Sequence, residues 1–126
     1  MSSRILIVDD NPINLKLAAD VLEAASFAID RAVDAEQAQH VLSETVPDLI
    51  LMDIALPGMD GLTLTRKLKA DPRFEGIPII ALTASAMKGD DRKALEAGCI
   101  SYISKPIDTR KLAQQVQAVL DSQLRS

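Results

Sequence analysis

The sequence predicts an α/β fold in which helices cover both faces of a parallel sheet. Three short, continuous apolar runs have the length expected of strands that are buried on both faces. They are Ile5–Val8, Leu49–Met52 and Ile79–Leu82. Between these runs, apolar residues recur every three or four positions, which is typical of helices that bury one face. Strand and helix alternate five times, and this alternation favours right-handed crossovers within a parallel sheet.

The two remaining strands are more polar and are expected near the edges of the sheet. They are Ala28–Ala32 and Ser101–Ser104. For five strands connected in this way, the common solution is the flavodoxin-like doubly wound (βα)5 fold. It is a three-layer sandwich whose five-stranded parallel sheet has the order 2-1-3-4-5.

Each predicted helix is marked by spaced apolar residues. The five sets are Leu15, Ala18, Leu22 and Ala25; Ala35, Ala38, Val41 and Leu42; Leu64 and Leu68; Ala94 and Leu95; and Leu112, Val116, Val119 and Leu120. Asp34 and Gln37 form a capping pair at the start of the second helix. Asp71-Pro72 ends the third helix, because proline disfavours helical geometry in the residue before it. Gly98 is expected to end the fourth helix.

The composition is typical of a domain with a hydrophobic core, and it argues against some classes of binding partner. Of its 126 residues, 48% are apolar and 25% are charged. Because no linker-like stretch divides the sequence, residues 1–126 are predicted to form one domain without an output domain. The net charge of −4 argues against a nucleic-acid-binding face. The apolar runs are too short to span a membrane. The single cysteine, Cys99, excludes an internal disulfide and is expected to be a partly buried filler, which fits a cytoplasmic location.

Polar side chains follow four of the predicted strands. The first strand ends in Asp9 and Asp10, the third in Asp53, the fourth in Thr83, and the fifth is followed by Lys105. Ligands of doubly wound folds bind at the carboxyl ends of the strands, where the strand order reverses. We therefore expect these side chains to converge at one edge of the sheet. Taken singly, each could be an ordinary turn, cap or surface residue.

Three carboxylates in one place repel each other unless a cation lies among them. Mg²⁺ suits such a site, since it takes one or two carboxylates together with water and phosphate oxygens. Lys105 adds a positive charge for an anionic group, and Thr83 adds a hydroxyl donor. An aspartate can act as a nucleophile toward a phosphoryl group, so the set of residues suits the formation of an acyl phosphate.

At these residues the sequence resembles the response-regulator receiver domain of two-component signalling. The matching stretches are Ile5-Leu6-Ile7-Val8-Asp9-Asp10-Asn11, Leu51-Met52-Asp53-Ile54-Ala55-Leu56-Pro57-Gly58-Met59-Asp60-Gly61, Leu82-Thr83-Ala84 and Ser104-Lys105-Pro106. The resemblance implies that Asp53 is the phosphoacceptor. It also implies that Mg²⁺, or Mn²⁺ in its place, is held by Asp10 directly, by Asp9 partly through water, by Asp53, and by the Ala55 carbonyl.

The resemblance further assigns residues to phosphoryl binding and to signalling. Thr83, Ala84 and Lys105 would hold the phosphoryl oxygens, and Lys105-Pro106 would be a cis peptide. Tyr102 matches an aromatic residue that the family carries three positions before the lysine. Together with Thr83, it would couple phosphorylation to a surface built from the fourth helix, fifth strand and fifth helix. As the only tyrosine, it could also be a core residue.

The implied partners are a histidine kinase or histidine phosphotransfer protein and a downstream protein target, with the chain a monomer or weak homodimer. The protein would be a signalling switch rather than an enzyme, catalysing only its own phosphorylation and dephosphorylation. The small residues Ala55 and Ser85 offer an attacking water neither a carboxylate nor an amide. We therefore expect slow to intermediate loss of the phosphoryl group.

Three alternatives remain open at this point. A phosphorylation-independent adaptor could share the fold, although none of the acidic residues or the lysine is missing. A phosphatase of the haloacid-dehalogenase type needs an aspartate two residues after the nucleophile, where this chain has Ala55. A flavodoxin would need a phosphate loop after the first strand, where Asp9 and Asp10 would repel the phosphate. Gly58 and Gly61 fit turn geometry and lack the glycine–lysine spacing of a phosphate-binding loop, and His40 is expected to be solvated.

Overall fold

A computed structural model describes residues 3–84 and 89–124 of the chain. Five strands and five helices alternate along it. They are β1 Arg4–Val8, α1 Pro12–Ala24, β2 Ala28–Ala32, α2 Ala35–Glu44, β3 Leu49–Asp53, α3 Gly61–Lys69, β4 Ile79–Thr83, α4 Asp90–Ala97, β5 Ser101–Ser104 and α5 Leu112–Leu124. All neighbouring strands are parallel, and their order is β2-β1-β3-β4-β5. The predicted fold class and strand order are confirmed.

Two strands extend one residue beyond their predicted ends, and both additions carry polar side chains. Asp53 is the last residue of β3 and pairs with Leu82, while Thr83 is the last residue of β4 and pairs with Ser104. The backbone of Asp53 and Thr83 therefore belongs to the hydrogen-bonded sheet rather than to loops. The sheet thereby fixes the positions from which these two side chains extend.

The core consists of two apolar layers, one on each face of the sheet. Ile5 and Ile7 of β1 face α1 and α5, while Leu6 and Val8 face α2, α3 and α4. Side chains alternate between the two faces of a strand. Because both faces are covered by helices, the central strands contain the continuous apolar runs Ile5–Val8, Leu49–Met52 and Ile79–Leu82, as predicted.

Most predicted helix ends are found in the structure. The Asp34 carboxylate accepts the Gln37 N–H at 2.8 Å, and the Gln37 side chain reaches back to the Val33 N–H at 3.0 Å. Gly98 ends α4 in the left-handed conformation, with φ of +118°. The Lys105-Pro106 peptide bond is cis, as expected.

Three predictions about individual helix residues need correction. Ala25 is an exposed cap after α1, because the helix ends at Ala24. Leu95 lies on α4 but is 47% exposed, so it does not contribute to the core. Gly61 is the first residue of α3 rather than a turn residue, whereas Gly58 does adopt a turn conformation with φ of +70°.

Other surface and core predictions agree with the structure. The His40 side chain is 76% exposed and lies 3.6 Å from Glu44. Cys99 is buried. In the described part of the chain, no helix combines the length and the apolar character needed to span a bilayer.

Candidate functional site

Three carboxylates meet at the carboxyl edge of the sheet. Asp9 and Asp10 follow β1, and Asp53 ends the adjacent strand β3. One oxygen atom from each of the three lies within 4.8 Å of the others. Asp9 and Asp53 are buried, whereas Asp10 is exposed, so the group has an opening to solvent on the side of Asp10. The predicted convergence of these residues is therefore found in the structure.

Lys105 closes the other side of this acidic group. Its Nζ atom donates a hydrogen bond to Asp53 Oδ2 at 2.9 Å and lies 3.3 Å from Asp9 Oδ2. The Lys105 N–H donates to the Thr83 carbonyl at 2.8 Å, which fixes the start of the side chain beside β4. One amine thus bridges carboxylates from the two neighbouring strands β1 and β3.

The two oxygens of Asp9 have different surroundings. Oδ1 accepts the Asn11 N–H at 2.9 Å. Oδ2 is buried and accepts no hydrogen bond, because the 3.3 Å contact with Lys105 has the distance of an ion pair without hydrogen-bond geometry. Burial raises the pKa of the Asp9 carboxyl, against the lowering effects of the Asn11 N–H and the Lys105 charge. A buried oxygen without a hydrogen bond is a position that a cation can satisfy.

Lys105 stays positively charged despite its partial burial. Burial acts to lower the pKa of its amine, but the hydrogen bond and charge of Asp53, together with the charge of Asp9, outweigh this effect and raise it. The site therefore combines three carboxylates with one ammonium group and has a surplus of negative charge.

The nucleophile candidate is held at both oxygens. Asp53 Oδ1 accepts the Ala55 N–H at 2.9 Å, and Oδ2 accepts the Lys105 amine. Ala55 is exposed, so it leaves space next to the carboxylate. The two contacts fix the orientation of the carboxylate before any ligand arrives.

Thr83 and Ala84 complete the edge on the side of β4. Thr83 is fully buried at the end of the strand, and Ala84 follows it at the exposed surface. Ser85, which we predicted to affect the lifetime of a phosphoryl group, lies outside the described residues. The strand order brings Thr83 and Asp53 to neighbouring strands, as predicted.

Tyr102 lies on β5 and is 39% exposed. This exposure contradicts the alternative in which it is a core residue. Two other exposed apolar side chains lie on the neighbouring elements: Leu95 on α4 and Ile100 just before β5. These three residues are here called the α4–β5 patch.

Gly61 is a residue of the site that sequence reasoning missed. A Cβ atom at this position would lie 2.1 Å from the Asp53 carbonyl oxygen and 2.8 Å from the Ile54 Cα. The Gly61 N–H also donates to the Ile54 carbonyl at 3.2 Å. A signal was available in the sequence, because Gly61 ends the stretch after Asp53 that resembles the receiver domain.

Comparison with known proteins decides the family. The family model for the response regulator receiver domain matches residues 5–117. The chain is 42% identical over 120 residues to the polar-differentiation response regulator DivK of Brucella ovis, covering 95% of this chain and 98% of the relative.

This chain belongs to the response regulator receiver domain family. Solved structures agree with that assignment. A putative response regulator from Chloroflexus aurantiacus superimposes with a TM-score of 0.91 at 30% identity, over 96% of this chain and 99% of that one. The receiver domain of the sensor histidine kinase PA1611 from Pseudomonas aeruginosa, which carries a magnesium ion in its active-site cleft, has a TM-score of 0.85 at 33% identity and full coverage of both chains.

The protein is thus a receiver domain of two-component signalling, similar to DivK, with an acidic pocket compatible with Mg²⁺ and phosphoryl acceptance. Receiver domains bind Mg²⁺ in this pocket and interact with histidine kinases and downstream targets. The family assignment does not favour the alternatives of an adaptor, a phosphatase or a flavodoxin.

Proposed function

We propose that Asp53 accepts a phosphoryl group from the phosphohistidine of a histidine kinase or phosphotransfer protein. The observation that supports this most is the placement of Asp53 at the end of β3, between the acidic residues after β1 and the amine of Lys105. A carboxylate oxygen forms the new bond to phosphorus as the nitrogen–phosphorus bond of the donor breaks. The imidazole of the donor keeps the electron pair of that bond.

The residues present fit a hard divalent cation. Asp9 offers its buried Oδ2, Asp10 an exposed carboxylate, and Asp53 a third oxygen, with the Ala55 carbonyl as the remaining protein ligand. These are oxygen ligands, which Mg²⁺ prefers and Mn²⁺ also accepts. When bound, the cation would neutralise charge on the transferring phosphoryl group.

The chain's own residues orient the nucleophile and bind the product. The Ala55 N–H holds Asp53 Oδ1, so Oδ2 is the oxygen that faces the lysine and the incoming group. Lys105 already lies 2.9 Å from Oδ2 and would contact a phosphoryl oxygen after a small movement. The Thr83 hydroxyl and the Ala84 N–H would donate to the other oxygens from the end of β4.

The phosphorylated form would act by changing its binding to a protein target. In this proposal, Thr83 moves toward the phosphoryl group and Tyr102 follows from its half-exposed position. The α4–β5 patch would then change shape, because it includes Tyr102. The extent of the response depends on how much more strongly the active conformation holds the phosphoryl group.

Intact mass spectrometry tests the proposal after incubation with Mg²⁺ and a small-molecule phosphodonor. We expect a single phosphoryl adduct on the wild type, none on Asp53→Asn, and none when a chelator removes the metal. Asp121→Asn makes the same chemical change at an exposed site on α5 and should leave the adduct intact. An adduct that persists in Asp53→Asn would contradict the assignment of the phosphoacceptor.

The lifetime of the adduct is tested in the same samples. Because Ala55 carries no polar group to assist an attacking water, the adduct should decay slowly after the phosphodonor is removed. Loss of the adduct within seconds would contradict this expectation. We propose no catalytic activity other than the protein's own phosphorylation and dephosphorylation.

A further inference from the structure

The contacts of Lys105 suggest a role beyond phosphoryl binding. We propose that the Lys105 ammonium is an internal competitor of the divalent cation, which must displace it from Asp9 while leaving it on Asp53. The inference rests on the proposed metal site. It assigns two roles to the Lys105 side chain, namely competition with the cation for Asp9 and binding of the phosphoryl group.

The two contacts of the amine are unequal. The contact with Asp53 Oδ2 is a hydrogen bond of 2.9 Å, whereas the contact with Asp9 Oδ2 is 3.3 Å and lacks hydrogen-bond geometry. Hydrogen bonds between charged groups weaken with distance and poor alignment. The contact with Asp9 is therefore the one that breaks first when another cation arrives.

The amine and a metal ion need the same oxygen. Mg²⁺ coordinates oxygen at about 2.0–2.1 Å, well inside the present separation of nitrogen and oxygen. An ion at that distance from Asp9 Oδ2 would lie at most about 5.4 Å from Nζ, given the 3.3 Å contact of Nζ with the same oxygen. Two cations so near each other repel strongly where burial limits screening by water. The side chains of Asp9 and Asp53 are only 1% and 4% exposed, so this condition holds.

Lys105 is also the only basic group that pairs with these carboxylates among the ion pairs of residues 3–84 and 89–124. Removing its charge leaves the three carboxylates without a counter-ion. The affinity for Mg²⁺ should then increase, although phosphoryl acceptance should decrease. A purely structural role for Lys105 would instead weaken both.

A magnesium titration at fixed ionic strength tests the inference, with the backbone amide resonances of Asn11 and Ala55 as the readout. These amides donate to Asp9 and Asp53 and report on the site without any phosphorylation. We expect Lys105→Gln to bind Mg²⁺ more tightly than the wild type by about tenfold or more. Lys105→Arg keeps the charge and should remain close to the wild type.

Lys67→Gln is the matched control. Lys67 is exposed in the last turn of α3, at the end of the helix opposite to the site, so the substitution removes the same charge from the protein surface. Its magnesium affinity should equal that of the wild type. A tightening of equal size in Lys67→Gln would show that only the net charge matters, and the inference would be wrong.

Unchanged or weaker magnesium binding by folded Lys105→Gln would overturn the inference. If this variant does not fold, the wild type labelled with ¹³C-lysine provides the test. Its Lys105 Cε–Hε resonance should shift with the same magnesium midpoint as the Asn11 amide, and a stationary resonance would overturn the inference. A wild type that binds Mg²⁺ but forms no adduct with a phosphodonor would instead contradict the proposed function alone.

Discussion

Replacing Gly61 with alanine should displace the end of β3 and with it the phosphoacceptor candidate. The added Cβ would lie 2.1 Å from the Asp53 carbonyl oxygen, where ordinary van der Waals contact begins at 3.4 Å. The two backbones must therefore move apart by about 1.3 Å to reach ordinary contact. The atoms in the way belong to the backbone of Asp53 and Ile54, so a change of side-chain rotamer cannot relieve the clash.

Moving α3 away from β3 would also break local contacts. The Gly61 N–H donates to the Ile54 carbonyl at 3.2 Å, and the Thr65 hydroxyl donates to the Gly61 carbonyl at 2.7 Å. Overpacking of this kind costs about 3 kcal/mol. With a urea dependence of about 1.5 kcal/mol per molar, the unfolding midpoint should fall by about 2 M. A displacement of about 1 Å at the reacting group should slow phosphoryl acceptance by about a hundredfold.

Urea unfolding and adduct formation with a small phosphodonor measure the two effects separately. Gly76→Ala is the control, because its Cβ would meet no atom within 4 Å, and it should be as stable as the wild type or slightly more so. Should Gly61→Ala retain both the stability and the phosphorylation rate of the wild type, the close approach of α3 to β3 would not be what positions Asp53.

Three further predictions concern the site and the core. Asp9→Asn should stabilise the metal-free protein by about 1 kcal/mol, because it removes a buried carboxylate charge whose Oδ2 accepts no hydrogen bond. The same variant should bind Mg²⁺ more weakly. A thermal midpoint below that of the wild type would contradict the expected stabilisation. Asn11→Ala removes the cap that accepts the Ile13 and Asn14 N–H groups and should lower the thermal midpoint by about 4 °C, whereas Asn14→Ala should not. Burial raises the pKa of the Cys99 thiol above its ordinary value of 9.0. The stability that this neutral thiol contributes is complete below pH 9.0 and is lost as pH rises through the folded-state pKa, so the stability of the wild type relative to Cys99→Ala in urea should decrease in alkali.

The agreement between sequence and structure is closest where one physical rule dominates. The runs at β1, β3 and β4 are apolar at every position because helices cover both faces of the sheet, and few other structures explain such runs. The prediction was wrong where local patterns compete with tertiary packing. Leu95 has helical spacing but remains exposed on α4, and Ala25 lies just beyond the end of α1.

The amino-acid sequence determined the alternation of strands and helices, the strand order and the set of side chains at the carboxyl edge of the sheet, since hydrophobic periodicity and turn residues are local properties of the chain. Only the tertiary structure decided how close those side chains lie. The unequal contacts of Lys105 with Asp53 and Asp9, the burial of Asp9 Oδ2 and the close approach of Gly61 to the backbone of Asp53 all arise where separate elements of the fold pack together. Their distances depend on the packing of neighbouring elements to a fraction of an ångström, which no local pattern encodes.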